Sequence, residues 1–108
     1  RHLRRVRKLY AQHIHLMTDA ISRHFPAGTK VTRPAGGHVL WVELPRRVNS
    51  LDLLDRALAQ KISIAPGPMF SATQKFQNFV RLNAGNPWCE RIEKAVEKLG
   101  KLVQEQIE

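Results

Sequence analysis

The feature that most constrains the fold is a strand at residues 38–44 that is apolar on both of its faces. Side chains alternate along an extended chain, so Leu40 and Val42 lie on one face while Val39 and Trp41 lie on the other. A strand that is apolar on both faces is typical of the interior of a sheet. The sequence therefore predicts a sheet in which this strand is interior.

Three helices are predicted around that strand. The first ends at Pro26 and Gly28, the second is capped by Asn49 or Ser50, and the third begins at Asn86-Pro87, with Asn86 as cap and Pro87 at the first helical position. The first helix has an apolar stripe of Leu3, Val6, Tyr10, Met17, Ala20 and Ile21. The predicted buried stripe of the second is Leu51, Leu54 and Leu58. That of the third is Trp88, Ile92, Ala95, Val96, Leu99, Leu102, Val103 and Ile107.

The remaining strands are short. Val31-Thr32 and the segment from Ile62 to Ile64 are predicted strands, and Phe79–Asn83 is another, running into Gly85. The segment 65–68, Ala-Pro-Gly-Pro, should leave the sheet because its two prolines cannot donate ladder hydrogen bonds. A loop at residues 71–75 should be exposed and mobile. The fold class is therefore α/β (α+β), a small, mostly antiparallel sheet of three or four strands with helices packed on one face.

Length and composition exclude several classes. A chain of 108 residues with 43% hydrophobic content is expected to form one domain, spanning residues 1–108. It has one cysteine, Cys89, and no apolar run long enough for a membrane span or a secretory signal, so a cytoplasmic location is the default. The five histidines lack metal-ligand spacing, and no catalytic nucleophile with a base is evident. The helical pattern already runs at Leu3, which suggests a piece of a longer protein.

The charge of +9 is concentrated in the first part of the chain. Residues 1–47 hold ten basic and two acidic side chains, whereas residues 48–108 hold eight and seven. A basic first helix is compatible with salt-sensitive binding to nucleic acid, or simply with a solvated surface. No exposed aromatic platform for single strands and no major-groove motif accompanies it. A basic nucleic-acid-binding module remains one hypothesis.

Arg81 is the principal candidate for a ligand contact. It stands alone between Val80 and Leu82, on the face that alternation assigns also to Phe79 and Asn83. A guanidinium held by a strand suits a carboxylate, whose two oxygens it can bind at once. An arginine on the solvated face of a half-buried strand is the alternative.

Four blocks in this order resemble the C-terminal small domain of fold-type I, pyridoxal-phosphate-dependent aminotransferases. The blocks are His2–Tyr10, Pro34–Leu44, Ile64–Phe70 and Asn78–Asn83. The arginine-rich first helix, the Gly36-Gly37 pair before the tryptophan-containing strand, and Asn86-Pro87-Trp88 are most similar to MocR-type regulators of the GntR family. In that branch, a winged-helix DNA-binding domain precedes an aminotransferase-like body.

The resemblance implies roles for particular residues. Arg81 would bind the carboxylate of an amino-acid or amine-type ligand, Phe70 and the Pro66-Gly67 loop would lie near the mouth of the cleft, and Asn83 would either hold the arginine or cap its strand. It also implies pyridoxal 5'-phosphate in the full-length parent, a large cofactor-binding domain as partner, a homodimer, and DNA contact only through an upstream domain. None of the seven lysines stands in a cofactor-lysine context, so the isolated chain should be catalytically silent. A genuine aminotransferase remains the alternative parent.

Overall fold

A four-stranded antiparallel sheet forms the centre of the computed structural model, which describes residues 2–32, 39–70, 73, 75–83 and 88–108, without the side chains of 2–4, 6, 7 and 10. The elements in chain order are α1 (His2–His24), β1 (Lys30–Thr32), β2 (Val39–Glu43), α2 (Ser50–Ala59), β3 (Ala65–Pro66), a 3-10 turn (Gly67–Phe70), β4 (Phe79–Asn83) and α3 (Glu90–Ile107). The strand order is β1-β2-β4-β3. The predicted fold class is confirmed, and β2 is interior as expected.

The sheet has one buried face and one open face. On the buried face, Leu40 pairs with Leu82 and Val42 pairs with Val80, and both valines are fully buried. These side chains form one core with apolar residues of all three helices. The helices therefore pack on one side of the sheet, and the opposite side, called here the outer face, carries the alternate residues of each strand.

The helices α1 and α3 approach each other closely where α1 ends. Gly100 of α3 is buried, and a Cβ there would collide with the backbone carbonyl of His24. Beside this crossing, Arg23 donates hydrogen bonds to Glu93 at 2.8 Å and to Asp19 at 3.0 Å. These two hydrogen bonds, that to Glu93 foremost, raise the pKa of Arg23. Close backbone approach and this ion pair together tie α1 to α3.

The predicted cap of α2 is confirmed, but of its predicted buried stripe only Leu54 packs against the core, and Leu51 and Leu58 do not. The Asn49 side chain accepts hydrogen bonds from the backbone N–H groups of Leu51 and Asp52 at 3.0 and 3.1 Å. Leu51 and Leu58 are 43% and 52% exposed, whereas Leu53 is fully buried. The residues of α2 that face the core are Ser50, Leu53 and Ala57. A helix this rich in leucine offers two apolar faces, and packing against α3 and the sheet selects the other one.

The end of α2 has a specific backbone form. Lys61 has a φ of 64°, its N–H donates to Leu58 O at 2.9 Å, and the Ile62 N–H donates to Ala57 O at 2.8 Å. This pair of bonds is the Schellman pattern, in which the residue after the cap is left-handed. A position of that kind normally favours glycine.

The predicted third strand is displaced. Ile62 and Ile64 precede the sheet, and the strand is Ala65–Pro66, in which Pro66 pairs with Val80 of β4. The expectation that the prolines exclude this segment is wrong because β3 lies at the sheet edge, where a missing N–H donor is tolerated.

The start of α3 also differs from the prediction. The helix begins at Glu90, after an N-cap at Cys89, rather than at Asn86-Pro87. Asn86 and Pro87 themselves lie outside the described residues. Most of the 71–75 loop does too, although Thr73 and Lys75 are described and exposed. The predicted α3 stripe supplies Val96, Leu99, Leu102 and Val103 to the core, as expected.

Candidate functional site

Arg81 lies on the outer face, in the middle of the sheet. Its Cα partners are Trp41 on β2 and Ala65 on β3, so neighbouring strands flank it on both sides. The side chain is exposed although the adjacent Val80 is fully buried. Alternation along β4 thus places the arginine outward while its neighbours anchor the strand in the core.

The guanidinium of Arg81 lies over an aromatic ring. Its Cζ is 4.7 Å from the ring centroid of Phe70, which is within the range of a cation–π contact. Phe70 is the last residue of the 3-10 turn that follows β3, and it is 43% exposed. The structure therefore brings together two of the predicted site residues, Arg81 and Phe70.

Phe70 belongs to a cluster of four aromatic rings on the outer face, called here the aromatic platform. Its members are Trp41, Phe70, Phe76 and Phe79. Trp41 is central: its ring centroid lies 5.2 Å from that of Phe79 in a stacked arrangement, and 5.5 and 5.7 Å from those of Phe76 and Phe70 in edge-to-face arrangements. Such pairs are favourable ring geometries, and they restrict the motion of each member.

The backbone beneath the platform is tightly packed. A Cβ at Gly67 would collide with the carbonyl oxygen of Phe76 and come within 2.9 Å of the Phe79 Cβ. Phe76 itself has a φ of 63°, a left-handed conformation that is uncommon for a bulky residue. Gly67 therefore lets the 3-10 turn approach the platform, and Phe76 is held in a strained conformation beside it.

The charge of Arg81 is not paired with a carboxylate in the part of the chain that the structure describes. Among the residues that the structure describes, no carboxylate forms an ion pair with Arg81, whereas Arg23 and Arg56 each contact two acidic side chains. The Arg81 N–H donors are thus not committed to a carboxylate of the described chain. Geometry of this type can receive an external carboxylate.

Asn83 is exposed on the same face as Arg81, two residues further along β4 and opposite Val39. The Asn83 side chain already interacts with another group. Its two predicted roles, holding Arg81 in place or capping the end of the strand, stay predictions.

Sequence reasoning identified the direction of Arg81 and placed Phe79 on the same face, but missed Trp41 and Phe76 as its surroundings. The expectation that no exposed aromatic platform is present is wrong, because Phe70 and Phe76 of the cluster are 43% and 41% exposed. Trp41 alternates with Leu40 and Val42 as Arg81 does with Val80 and Leu82, but only the pairing of β2 with β4 places Trp41 beside Arg81. Phe76 lies in the segment between the 3-10 turn and β4, for which no periodicity applies.

The lysines give no anchor for a cofactor. All seven lie exposed, four of them on helices, and they are Lys8, Lys30, Lys61, Lys75, Lys94, Lys98 and Lys101. A pyridoxal phosphate group needs a lysine directed into an enclosed site together with a phosphate cradle. The described residues do not fit that requirement, so they could supply at most one wall of such a site.

Other candidate groups do not assemble into a site. Within the described ranges, no three His, Cys, Asp or Glu side chains come together as metal ligands. None of the helices described combines the length and the apolar character needed to cross a membrane. Cys89 is exposed and its side chain does not cap α3. Of the basic cluster on α1, only Arg5 and Lys8 have described side chains, both exposed, so the nucleic-acid hypothesis stays a prediction.

A groove of about 490 Å³ lies between the end of β4 and α3, and the predicted site residues Arg81 and Asn83 are among the residues that line it. Its walls include Leu82, Ile92 and Ala95, and Lys61 and Arg91 contribute charges. Its apolar walls continue into the core, and Arg81, which lines the groove, also places its guanidinium over Phe70 of the aromatic platform.

Known proteins with similar sequences fall into two groups. Over 106 residues the chain is 42% identical to the uncharacterized HTH-type transcriptional regulator YdcR of Escherichia coli, covering 98% of this chain and 23% of the regulator. Over 102 residues it is 33% identical to the 2-aminoadipate transaminase of Thermus thermophilus, covering 94% of this chain and 26% of the enzyme. No protein-family model matches the chain.

Solved structures agree with the sequence matches. The crystal structure of LysN, the alpha-aminoadipate aminotransferase of Thermus thermophilus complexed with N-(5'-phosphopyridoxyl)-L-leucine, superposes with a TM-score of 0.84 at 32% identity. The match covers 97% of this chain and 27% of LysN. Kynurenine aminotransferase of Pyrococcus horikoshii superposes with a TM-score of 0.82 at 30% identity, over 94% of this chain and 25% of that enzyme.

The fold and its sequence matches define an aminotransferase-like small domain. More particularly, the chain belongs with the C-terminal small domains shared by HTH-type regulators and aminotransferases, as its motifs suggest. It spans about a quarter of the length of the curated relatives that it matches.

Proposed function

We propose that this chain is the C-terminal domain of a pyridoxal-phosphate-dependent, aminotransferase-like transcriptional regulator of the MocR type in the GntR family. In this proposal Arg81 binds the carboxylate of the amino compound that the regulator senses. The observation that carries the proposal is the exposed Arg81 guanidinium on the central outer face, which has no carboxylate partner among the described residues. The two regulators YdcR and YjiR, 42% and 36% identical, support the choice of a regulator.

The chemistry of the contact follows from the arginine fork. A guanidinium presents parallel N–H donors to both oxygens of a carboxylate, so it fixes the direction of the ligand as well as its position. Fixing the carboxylate on one wall orients the amino group of the ligand toward the opposite wall. Closure of that opposite wall would exclude water and strengthen the ion pair.

The other wall would come from a larger domain of the parent. When bound there, pyridoxal phosphate supplies an aldehyde carbon for reaction with amines and an electron-withdrawing ring. The small domain described here contributes no cofactor lysine in this scheme, so alone it would be catalytically inactive. The parent would be a homodimer in the cytoplasm and would contact DNA through a separate upstream domain.

A genuine aminotransferase is the alternative parent. The TM-score of 0.84 with LysN and the 33% identity with the 2-aminoadipate transaminase support this alternative. The two parents differ upstream of the shared body, because a regulator has a winged-helix segment there and an enzyme does not. Sequencing the gene upstream of the codon for Arg1 distinguishes them.

The ligand role is tested by Arg81→Ala in the intact parent, titrated with L-leucine and L-2-aminoadipate and followed by calorimetry. We expect amino-acid affinity to fall about 10- to 100-fold, since a charge-assisted contact contributes roughly 1.5–3 kcal/mol. Cofactor content, measured by absorbance, should stay the same. The amino-acid affinity of Arg81→Lys should lie between those of the unmodified parent and Arg81→Ala, because lysine keeps the charge but lacks the two parallel N–H donors of the guanidinium.

Arg46→Ala is the matched control. Arg46 is exposed in the turn between β2 and α2, so this variant removes the same charge from a different surface. It should bind amino acids like the unmodified parent. Equal affinity of Arg81→Ala and Arg46→Ala for both amino acids would refute the assignment.

A further inference from the structure

The aromatic ring beneath the Arg81 guanidinium has no role in the carboxylate contact itself. The Phe70 side chain has no hydrogen-bonding atom of its own, and the Cζ of the Arg81 guanidinium lies 4.7 Å from its ring centroid. A contact through the ring face leaves the N–H donors of the arginine uncommitted. The ring can therefore hold the arginine without competing with a carboxylate.

We infer that Phe70 is a positioning residue, which acts on carboxylate binding through Arg81 rather than by touching the ligand. The inference rests on the proposed function, because it requires that Arg81 binds a carboxylate. An exposed arginine has several rotatable bonds, and ordering it on binding costs side-chain entropy. If the guanidinium already rests on the ring before the ligand binds, less side-chain entropy is lost on binding.

The ring is itself fixed by its surroundings. Phe70 contacts Trp41 edge-to-face at 73°, and Trp41 stacks on Phe79. Trp41 is also the strand partner of Arg81, so the same residue that orients Phe70 stands beside the arginine on β2. The 3-10 turn carrying Phe70 begins with the buried residues Gly67 and Pro68, which anchor it to the sheet.

The other flank of the arginine is open. Its second strand partner is Ala65, a small residue that offers no ring to hold the guanidinium. Phe70 is therefore the only aromatic contact of the Arg81 guanidinium within the described residues. Its removal should leave the arginine in place but free to adopt other rotamers.

The test uses the intact parent with Phe70→Leu, which keeps an apolar side chain and removes the ring. The probes are L-leucine and isopentylamine, which share a side chain and an amino group but differ in the carboxylate. We expect Phe70→Leu to weaken L-leucine binding about two- to five-fold and to leave isopentylamine binding unchanged. Phe70→Tyr keeps a ring face and should retain the affinity of the unmodified parent.

A second arm places Phe70→Leu in the Arg81→Ala background. Because Phe70 acts through the arginine, the added change should have no further effect on L-leucine affinity. An equal loss in both backgrounds would overturn the inference, since Phe70 would then contact the ligand directly. Equal weakening of L-leucine and isopentylamine would overturn it as well, because the effect would not depend on the carboxylate.

The arms separate this inference from the proposed function. If Arg81→Ala weakens L-leucine binding and Phe70→Leu does not, the inference fails and the carboxylate role of Arg81 stands. If Arg81→Ala leaves the affinity unchanged, the proposed function fails and the inference falls with it. An intact parent that binds neither L-leucine nor L-2-aminoadipate overturns both.

Discussion

The close contact between α1 and α3 predicts that Gly100→Ala destabilises the chain, contrary to the usual rule for helices. In an unobstructed helix interior, alanine is more favourable than glycine by about 0.5–1 kcal/mol. At Gly100, however, the new methyl group would collide with the His24 carbonyl oxygen and lie 2.8 Å from its carbon. Both atoms belong to the backbone, so no side-chain rotation relieves the collision.

The magnitude follows from the two opposing terms. Forcing an extra methyl group into a packed contact costs about 1–3 kcal/mol, and helix propensity returns part of it. We expect a net loss of about 1–2 kcal/mol in the free energy of unfolding. For a domain of this size, that corresponds to a midpoint temperature lower by roughly 5–10 °C.

Urea unfolding of the chain, followed by the fluorescence of Trp41 and Trp88, measures this loss. Lys98 lies exposed on the same helix, so comparing Lys98→Ala with Lys98→Gly gives the propensity difference where no contact interferes. Gly100→Ala with stability equal to or above that of the unmodified chain would refute the close approach of α1 and α3.

Two further predictions concern α2 and use the same assay. Lys61→Gly should raise the free energy of unfolding by about 0.5–1 kcal/mol, because glycine adopts the left-handed φ of 64° without steric cost. Lys98→Gly, in the helix interior, should lower it. A lower stability of Lys61→Gly would contradict the Schellman assignment. Leu53→Ala should cost about 2–5 kcal/mol at a fully buried position, while Leu58→Ala, at 52% exposure, should change stability by less than about 0.5 kcal/mol. A larger loss of stability for Leu58→Ala than for Leu53→Ala would contradict the burial seen here and support the stripe predicted from sequence.

The parts of the fold that sequence predicted are those with an unambiguous period. Leu40 and Val42 alternate with Trp41, and that pattern correctly makes β2 an interior strand. In α2 the pattern admits two apolar faces, and only contacts distant in sequence decide that Leu53 rather than Leu51 is buried. The prediction that Pro66 excludes its segment from the sheet is wrong for a similar reason. A proline is tolerated in an edge strand, and the sequence does not show which strand lies at the edge.

The sequence predicted which face of the sheet carries Arg81, but not which side chains surround it. Alternation along β4 correctly turns Arg81 away from the core. The position of its guanidinium depends on Phe70, which lies eleven positions earlier in the 3-10 turn. That turn has no periodic pattern, so the sequence does not predict where the ring lies. The resemblance to aminotransferases, rather than periodicity, connected the two residues before the structure did.

The two borders of the sheet limit how the domain can associate with other chains. One border is β3, which has only two residues, and Pro66 lacks the N–H that a visiting strand would need. The opposite border, β1, has three residues and begins with the charged Lys30. Among the residues that the structure describes, neither border offers a long template for strand addition, which disfavours growth of the sheet into fibrils or swapped oligomers.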